Sequence, residues 1–224
     1  MVLADNTLDS VLQYLVSLAQ AKVTGVDGVS VTLAATDRLE TRHATSDDVT
    51  EADKAQYDSG LGPCLKAKST AQIVNARIAD CHDQWPAFTD RATSAGFIEV
   101  LSVPLMAGYG AFGALNLYSR QDTGFDQRAA ADAQLFAGLA SVVLANAAAM
   151  ESAARQQAQL EEALVTRDVI GQAKGILMAR QSCTADEAFN VLRRASQRAN
   201  RKLRDIAQEL VDTTVGATSI GSER

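Results

Sequence analysis

The sequence is poor in the residues that mark disulfide scaffolds, metal centres and membrane spans. Its 224 residues include 3 cysteines, 3 prolines and 2 histidines, and aromatic residues make up 5%. An odd number of cysteines without short spacing indicates neither a disulfide framework nor a zinc site. The longest apolar run, residues 135–150, is interrupted by Gly138, Ser141 and Asn146. Since no signal peptide is visible either, we expect a cytoplasmic protein with no membrane partner and no bound metal.

Charge is distributed unevenly along the chain. The net charge of −6 by itself argues against a nucleic-acid partner. Residues 1–150 contain ten Lys or Arg and seventeen Asp or Glu, whereas residues 167–204 contain nine basic and three acidic residues. A phosphate backbone responds to local charge, so the C-terminal segment is a candidate for binding a polyanion.

The N-terminal part of the chain predicts an α+β domain over residues 1–145. Leucines at helical spacing (Leu8, Leu12, Leu15 and Leu18) indicate an opening amphipathic helix. The predicted strands are residues 28–34, 38–45, 97–105 and 111–118, of which the last two are joined by a glycine-bearing turn. The stretch between Val49 and Ile78 is predicted to be irregular.

The C-terminal part predicts helices only. No proline follows Pro104 and no glycine occurs between Gly138 and Gly171, so residues 126–181 are expected to form one long helix. Thr184-Ala-Asp-Glu187 is a capping box that begins a second helix. A third apolar stripe begins at Leu203, and residues 214–224 are expected to form a disordered tail.

Three blocks in this region carry a family resemblance: Ala173-Lys-Gly-Ile-Leu-Met178, Glu187-Ala-Phe-Asn-Val-Leu-Arg193 and Lys202-Leu-Arg-Asp-Ile-Ala207. Residues 155–213 resemble the ANTAR domain, the RNA-binding output module of bacterial antiterminators. The resemblance implies an all-α three-helix bundle that binds tandem RNA hairpins near terminators, usually as a dimer.

Candidate RNA-binding residues begin with one helical stripe. Arg167, Gly171, Lys174 and Met178 follow at spacings of four, three and four, and a glycine lets a phosphate backbone approach closely. The alternative is a solvated face on which Gly171 and Gly175 serve only helix packing. By resemblance, RNA-facing roles fall on Ala173, Lys174, Gly175, Arg193 and Lys202, with Arg194 and Arg201 as neighbours.

Phe189 is the only aromatic residue after Phe136, and we expect it to lie in the core. Single-strand binders stack bases on several aromatic rings. Recognition is therefore expected to depend on hairpin shape, phosphates and one or two looped-out bases.

Residues 8–145 resemble a GAF domain of the kind often joined to ANTAR. The matching stretches are Gly60-Leu-Gly-Pro-Cys-Leu65, Gln84-Trp-Pro86, Ser102-Val-Pro-Leu105 and Gly113-Ala-Leu-Asn-Leu-Tyr118. The resemblance implies an antiparallel sheet with the first and last helices on one face. The opposite face often holds a small-molecule pocket, whose ligand the sequence does not identify, and no cofactor is predicted.

Cys64 is the one redox candidate. The loop before it could expose a thiolate at a helix start, where the helix dipole lowers the pKa of a thiol. The alternative is a small buried residue that follows a turn, because isolated cysteines are usually buried.

The helix between the two domains, residues 126–170, has a coiled-coil-like pattern. The three-four spacing runs through Leu139, Val142, Asn146, Ala149, Ala153, Gln156, Leu160, Ala163, Arg167 and Ile170. This seam, together with the GAF helices, predicts a homodimer. Alanines and polar residues make this seam weak, which suits a helix that switches between states. The alternative is that the helix only connects the two domains.

These features together predict a signal-responsive antitermination regulator that binds RNA and is not an enzyme. One rival is a DNA-binding transcription factor, because the two short C-terminal helices could mimic a helix-turn-helix. A second rival is a thiol redox protein, either a sensor or an enzyme. The enzyme would be a methionine-sulfoxide reductase with Cys64 and Cys81 as nucleophile and resolving thiol. No phosphate-cradling glycine loop supports kinase activity.

Overall fold

The computed structural model of the protein describes residues 2–34, 39–108 and 110–220, with side chains for residues 8–34, 39–108 and 110–214. The chain divides into two compact units between Ala149 and Met150. The first unit contains an antiparallel sheet with helices, and the second is helical. The boundaries predicted for each domain from sequence stay predictions.

Five antiparallel strands form the sheet. They are β1 (Gly28–Ala34), β2 (Leu39–Ala44), β3 (Val74–Arg77), β4 (Glu99–Ala107) and β5 (Gly110–Ser119), in the order β2-β1-β5-β4-β3. The four strands predicted from alternation are confirmed to within two residues. Residues 35–38 and Tyr109, in the two connections, lie outside the described residues. The short β3 is an addition, because four residues are too few to show a pattern.

One face of the sheet packs against α1 (Val2–Lys22) and the first part of α5 (Gln127–Gln181). On α5 the contact is made mainly by alanines, which let a helix lie close to a sheet. The buried side chains of this layer include Leu12, Val16, Val31, Leu115, Leu117, Ala129, Ala133 and Ala137. The resemblance to a GAF domain correctly placed the first and last helices on this face.

The other face carries three short helices: α2 (Asp47–Ser59), α3 (Pro63–Thr70) and α4 (Pro86–Ser94), with a 3₁₀ turn at Ile78–Cys81. The prediction of an irregular stretch from Val49 to Ile78 is wrong, because α2 and α3 occupy most of it. Four residues of α2 are buried at helical spacing, namely Val49, Ala52, Asp53 and Gln56. Two of them are polar, so a search for apolar periodicity passes over this helix.

The 55-residue helix α5 agrees with the predicted single long helix and spans both units. Among the described residues it alone is long and apolar enough to cross a membrane, with a mean hydropathy of 1.6 in its most apolar window. This is weak evidence for a membrane span, since long apolar core helices pass the same test, and the alanines of its first part pack against the sheet.

Two helices follow α5 in the second unit, α6 (Ala185–Ala199) and α7 (Leu203–Ile220). The predicted capping box is present. Thr184 Oγ1 accepts from the Glu187 amide at 3.3 Å, and the Glu187 carboxylate accepts from the Thr184 amide at 2.8 Å. The backbone of α7 is helical through Ile220, so the expected disordered tail is wrong for residues 214–220, while residues 221–224 lie outside the described residues.

Candidate nucleic-acid interface and sensor interior

A small core holds the three helices of the second unit together. Each helix contributes two buried residues: Ala173 and Leu177 from α5, Ala188 and Leu192 from α6, and Ala207 and Val211 from α7. Three of the six are alanines, which permits close helix approach but leaves a modest apolar area. The unit therefore presents most of its polar side chains to solvent.

The predicted RNA-binding residues are accessible with one exception. Lys174 is half-buried, and the exposed residues are Arg167, Gly171, Gly175, Met178, Arg193, Arg194, Arg201 and Lys202. Ala173 is fully buried, so the expectation that its side chain faces RNA is wrong. Helical spacing places Ala173 in the stripe of Ile170 and Leu177, which packs against the other two helices.

Ion pairing separates these cations into two groups. Arg201 Nη1 lies 2.8 Å from Glu209 Oε2, and Arg204 pairs with Glu162 and Asp205. The cations of the second unit with neither an ion pair nor a side-chain hydrogen bond within the described part of the chain are Arg167, Lys174, Arg193, Arg194, Arg198 and Lys202. This second group retains its full charge for an external anion.

The Lys174 stripe of α5 is turned away from α7. Arg204, at the start of α7, contacts Glu162 of α5, and Arg180 Nη2 of α5 donates to Thr214 Oγ1 of α7 at 3.1 Å. At 100° per residue, Lys174 lies about 120° around α5 from both Glu162 and Arg180. Contacts with α7 therefore leave this stripe uncovered.

The two glycines beside Lys174 have open space around them. A β-carbon added at Gly171 or Gly175 would meet no atom within 4 Å outside the local helix. Helix packing within the described chain therefore does not require either glycine. Since glycine inside a helix is also unfavourable relative to alanine, neither helix propensity nor internal packing accounts for these two glycines.

An open hollow of about 440 Å³ lies at the start of α6. It is lined by Gln181, Cys183, Glu187, Asn190, Val191, Arg193 and Arg194. The amides of Gln181 and Asn190 have no hydrogen-bond partner among the described residues, and neither arginine is ion-paired. Two arginines, two free amides and an apolar side are suited to a nucleotide, because guanidinium groups bind phosphate and amides bind base edges.

Phe189 is 37% exposed and is not part of the buried cluster of this unit. The expectation that it lies in the core is therefore wrong. On α6 it follows Ala188, which is fully buried, and it precedes Arg193 by one turn. A single exposed ring next to an arginine provides one surface on which a base can stack.

In the first unit, a row of buried polar side chains crosses the sheet face that carries α2, α3 and α4. Asn116 of β5 lies between Ser30 of β1 and Ser102 of β4 in the ladder. Ser102 Oγ donates to Asn116 Oδ1 at 2.8 Å, and Asn116 Nδ2 donates to Asp53 Oδ1 at 3.1 Å. This is the face on which the resemblance places a small-molecule pocket, and its polar groups bond to one another.

The loop Gly60-Leu-Gly-Pro-Cys64 is joined to this buried polar row through the side chain of Gln56. The carboxamide of Gln56 accepts from the Cys64 amide at 2.9 Å and lies 3.3 Å from the hydroxyl of Tyr118. A β-carbon at Gly62 would lie 2.3–2.7 Å from atoms of the Gln56 side chain. Gly62 is therefore required by the close approach of Gln56, which joins the start of α3 to the sheet.

Cys64 is fully buried within α3, in a cluster with Leu39 and Ala114. Burial, reinforced by the negative charge of Asp53, raises the pKa of the Cys64 thiol to about 12. A thiol in this state is protonated and shielded at neutral pH, which argues against a reactive thiolate. Cys81 belongs to a different buried cluster, and no group of three potential metal ligands occurs among the described residues.

Residues 5–145 match the model of the GAF domain, and residues 158–211 match the model of the ANTAR domain. No curated protein matches the chain.

Several solved structures share the fold of the first unit. A domain of a sensor histidine kinase from Sinorhizobium meliloti is 15% identical, with a TM-score of 0.53 and coverage of 66% of this chain and 96% of that one. The GAF/HD domain protein from Geobacter sulfurreducens is 17% identical (TM-score 0.52, 62% and 93% covered). The type II free methionine-R-sulfoxide reductase from Thermoplasma acidophilum is 16% identical (TM-score 0.50, 62% and 94% covered). At these identities the likeness shows the fold alone.

The fold and the matched regions define a sensor domain followed by a helical output domain. The GAF match spans more than half of the chain, so the protein belongs to the GAF domain family, and it carries an ANTAR domain C-terminal to the GAF domain. This arrangement makes it a sensor-gated regulator of the antiterminator family.

Proposed function

We propose that this protein is a cytoplasmic, non-enzymatic antitermination regulator whose ANTAR domain binds tandem RNA hairpins near terminators. The observation that carries the proposal is the pair of open glycines beside Lys174 and Arg167, two cations of α5 that have no ion pair within the described part of the chain. Cations without internal partners can replace the counterions of a phosphate backbone. Glycines without internal packing leave room for that backbone to approach the helix.

Recognition combines this stripe with the hollow on α6. Arg193 and Arg194 line the hollow and are unpaired in the described structure, so they supply further phosphate contacts. Phe189 offers one stacking surface, which suits one looped-out base rather than an extended single strand. The binding mode is therefore a folded hairpin held by its phosphates, with a single unpaired nucleotide read by side chains.

The substitution Lys174→Ala tests this interface. Removing one phosphate contact is expected to weaken hairpin binding and to flatten the dependence of log affinity on log salt concentration by about 0.7–0.9. The matched control is Arg155→Ala, on the same helix but outside the ANTAR match and already paired with Glu151 at 3.0 Å. A folded Lys174→Ala variant with the affinity and salt slope of the parent would refute the proposal.

The exposed apolar side chains of α5 favour a dimer. Leu139, Val142 and Leu160 are 55–67% exposed, and all three lie on the three-four seam. A second copy of the same helix is the partner whose seam matches in register and chemistry. Light scattering of the full-length protein with and without RNA tests this point, and a monomer under both conditions would rule out the dimer.

The main rival is binding of duplex DNA. The cations of the second unit lie on α5 as well as on α6, and the apolar residues of α6 and α7 are used in the bundle core. Neither short helix is therefore presented as an independent recognition helix. Competition between hairpin RNA and duplex DNA at one salt concentration decides between these ligands, and preferential retention of DNA would favour the rival.

A further inference from the structure

Asp53 is a buried acid that the RNA-binding function does not use. It lies on the inner side of α2 with no exposed surface. Its Oδ1 atom accepts hydrogen bonds from Tyr118 at 2.6 Å, Asn116 at 3.1 Å and Gln56 at 3.4 Å, and its Oδ2 atom accepts from Thr41 at 2.9 Å. Asp53 thereby joins α2 to two strands of the sheet, β2 and β5.

No cation neutralises this carboxyl group among the described residues. The titratable groups that face it are Tyr57 from its own helix, Tyr118 from β5 and Cys64 from α3. The remaining contacts are hydroxyls and amides from β1, β2 and β5 and the amide of Gln56 from α2 itself. Lys68 of α3 acts on Cys64 rather than on Asp53. An ionised carboxylate in such a site carries a large desolvation cost, so burial raises the pKa of Asp53.

Three hydroxyl groups form one chain from Asp53 through Thr41 of the edge strand β2 and Tyr57 of α2 to Thr32 of β1. Thr41 Oγ1 lies 2.8 Å from the Tyr57 hydroxyl, which lies 2.6 Å from Thr32 Oγ1. Each hydroxyl can both donate and accept. When Asp53 is ionised, the hydrogens point from Thr32 through Tyr57 and Thr41 to Asp53 Oδ2; when Oδ2 carries the proton, the same three contacts hold with every donor reversed.

We propose that Asp53 is a proton-binding site of the GAF unit, in which gain or loss of one proton reverses the Thr41–Tyr57–Thr32 hydroxyl chain and changes how firmly α2 is held on the sheet. The proton is taken from water and ends on Asp53 Oδ2, and only hydroxyl rotations accompany it. Thr41 and Tyr57 are half-buried, so the chain reaches the partly exposed edge strand β2. This site is independent of the RNA-binding surface.

The sign of the effect follows from the raised pKa. A carboxyl whose pKa is higher in the folded than in the unfolded chain stabilises the fold most when it is protonated. This stabilisation is fully present below the unfolded value of 3.8 and is lost as the pH rises through the folded pKa. Ionisation therefore loosens the attachment of α2, and acidification strengthens it.

Urea unfolding of the full-length protein between pH 4 and pH 8 tests the proposal. The single tryptophan, Trp85, is buried beside Phe88 in the α4 layer, so its fluorescence reports on the first unit. As the pH is raised, the unfolding constant of the parent should increase relative to that of Asp53→Asn, by up to tenfold per pH unit, until the pKa of Asp53 in the folded protein is reached. The control, Asp58→Asn, removes an exposed carboxyl from the same helix and should keep the parent profile.

Direct titration of the parent protein covers the case in which Asp53→Asn does not fold. With ¹³C-labelled aspartate, the carboxyl resonance that disappears in Asp53→Glu, or failing that the most upfield-shifted aspartate signal, should titrate above the unfolded value of 3.8. Parallel stability profiles for the parent and Asp53→Asn would overturn the proposal. An Asp53 resonance that titrates at or below 3.8 would overturn it equally.

Discussion

Replacing Gly171 and Gly175 by alanine separates folding from RNA binding. Both glycines lie inside the continuous helix α5, and a methyl group at either position meets no other part of the described chain. Alanine is more favourable than glycine in a helix interior by about 0.8–1 kcal/mol. The double variant should therefore be more stable by about 1.5–2 kcal/mol, with no clash to offset the gain.

The same substitution should weaken RNA binding. Two methyl groups would stand between the helix backbone and a phosphate backbone that approaches alongside Lys174. We expect a loss of about tenfold in affinity, which corresponds to about 1.4 kcal/mol. A variant that is more stable than the parent but binds RNA more weakly would show that the two glycines serve an external ligand rather than the fold.

The assay pairs chemical unfolding, followed by circular dichroism at 222 nm, with hairpin titration at fixed salt. The matched control is Gly138→Ala, since Gly138 also lies inside α5 with open space around it but belongs to the first unit. It should gain helix stability and keep the parent affinity. A double variant that is more stable and binds RNA as tightly as the parent would refute the assigned role of the two glycines.

One alkylation experiment and two substitutions test other parts of the structure. Native protein treated with an alkylating reagent at pH 8 should be modified at the half-buried Cys183 and protected at Cys64, as read by mass spectrometry, because burial raises the pKa of Cys64 to about 12. Thr184→Ala should destabilise the ANTAR bundle by about 1 kcal/mol in chemical unfolding. Hydrogen bonds from Thr184 lower the pKa of Glu187, so the stabilisation from the ionised Glu187 is present above the unfolded value of 4.5 and is lost on acidification. The difference in unfolding free energy between the parent and Thr184→Ala should therefore narrow at low pH, and a constant difference would contradict this. Gly62→Ala should lower the melting temperature measured by Trp85 fluorescence, since its β-carbon would collide with Gln56.

Sequence patterns predicted the parts of the fold where one physical signal dominates. The central strands alternate, the long helix lacks helix breakers, and the capping box at Thr184 is a local hydrogen-bond motif. Helix α2 was missed because Asp53 and Gln56 occupy two of its inward positions, and their burial depends on partners such as Tyr118, more than sixty residues away in the sequence. Contacts of that range cannot be inferred from local periodicity.

The candidate site was predicted in the same uneven way. Spacing correctly grouped Arg167, Gly171 and Lys174 on one stripe, because helix geometry alone fixes that relation. The positions of Ala173 and Phe189 depend on which sides of α5 and α6 meet in the bundle. Both were assigned to the wrong environment, since the identity of a residue does not show which side of its helix is covered by the neighbouring helices.

The middle of α5 supplies a last test, because none of its side chains is buried within the described part of the chain. Residues 151–165 are all exposed, and an isolated helix of that length is marginal in water. A second copy packed along the seam would provide the missing apolar contacts. Leu160→Glu places a charge on the seam, whereas Ala158→Glu places the same charge about 200° around the helix from Leu160. We expect only Leu160→Glu to reduce the dimer fraction in light scattering and the helical signal at 222 nm. Equal effects of the two variants would mean that α5 is stable as a single helix and that its seam does not hold two copies together.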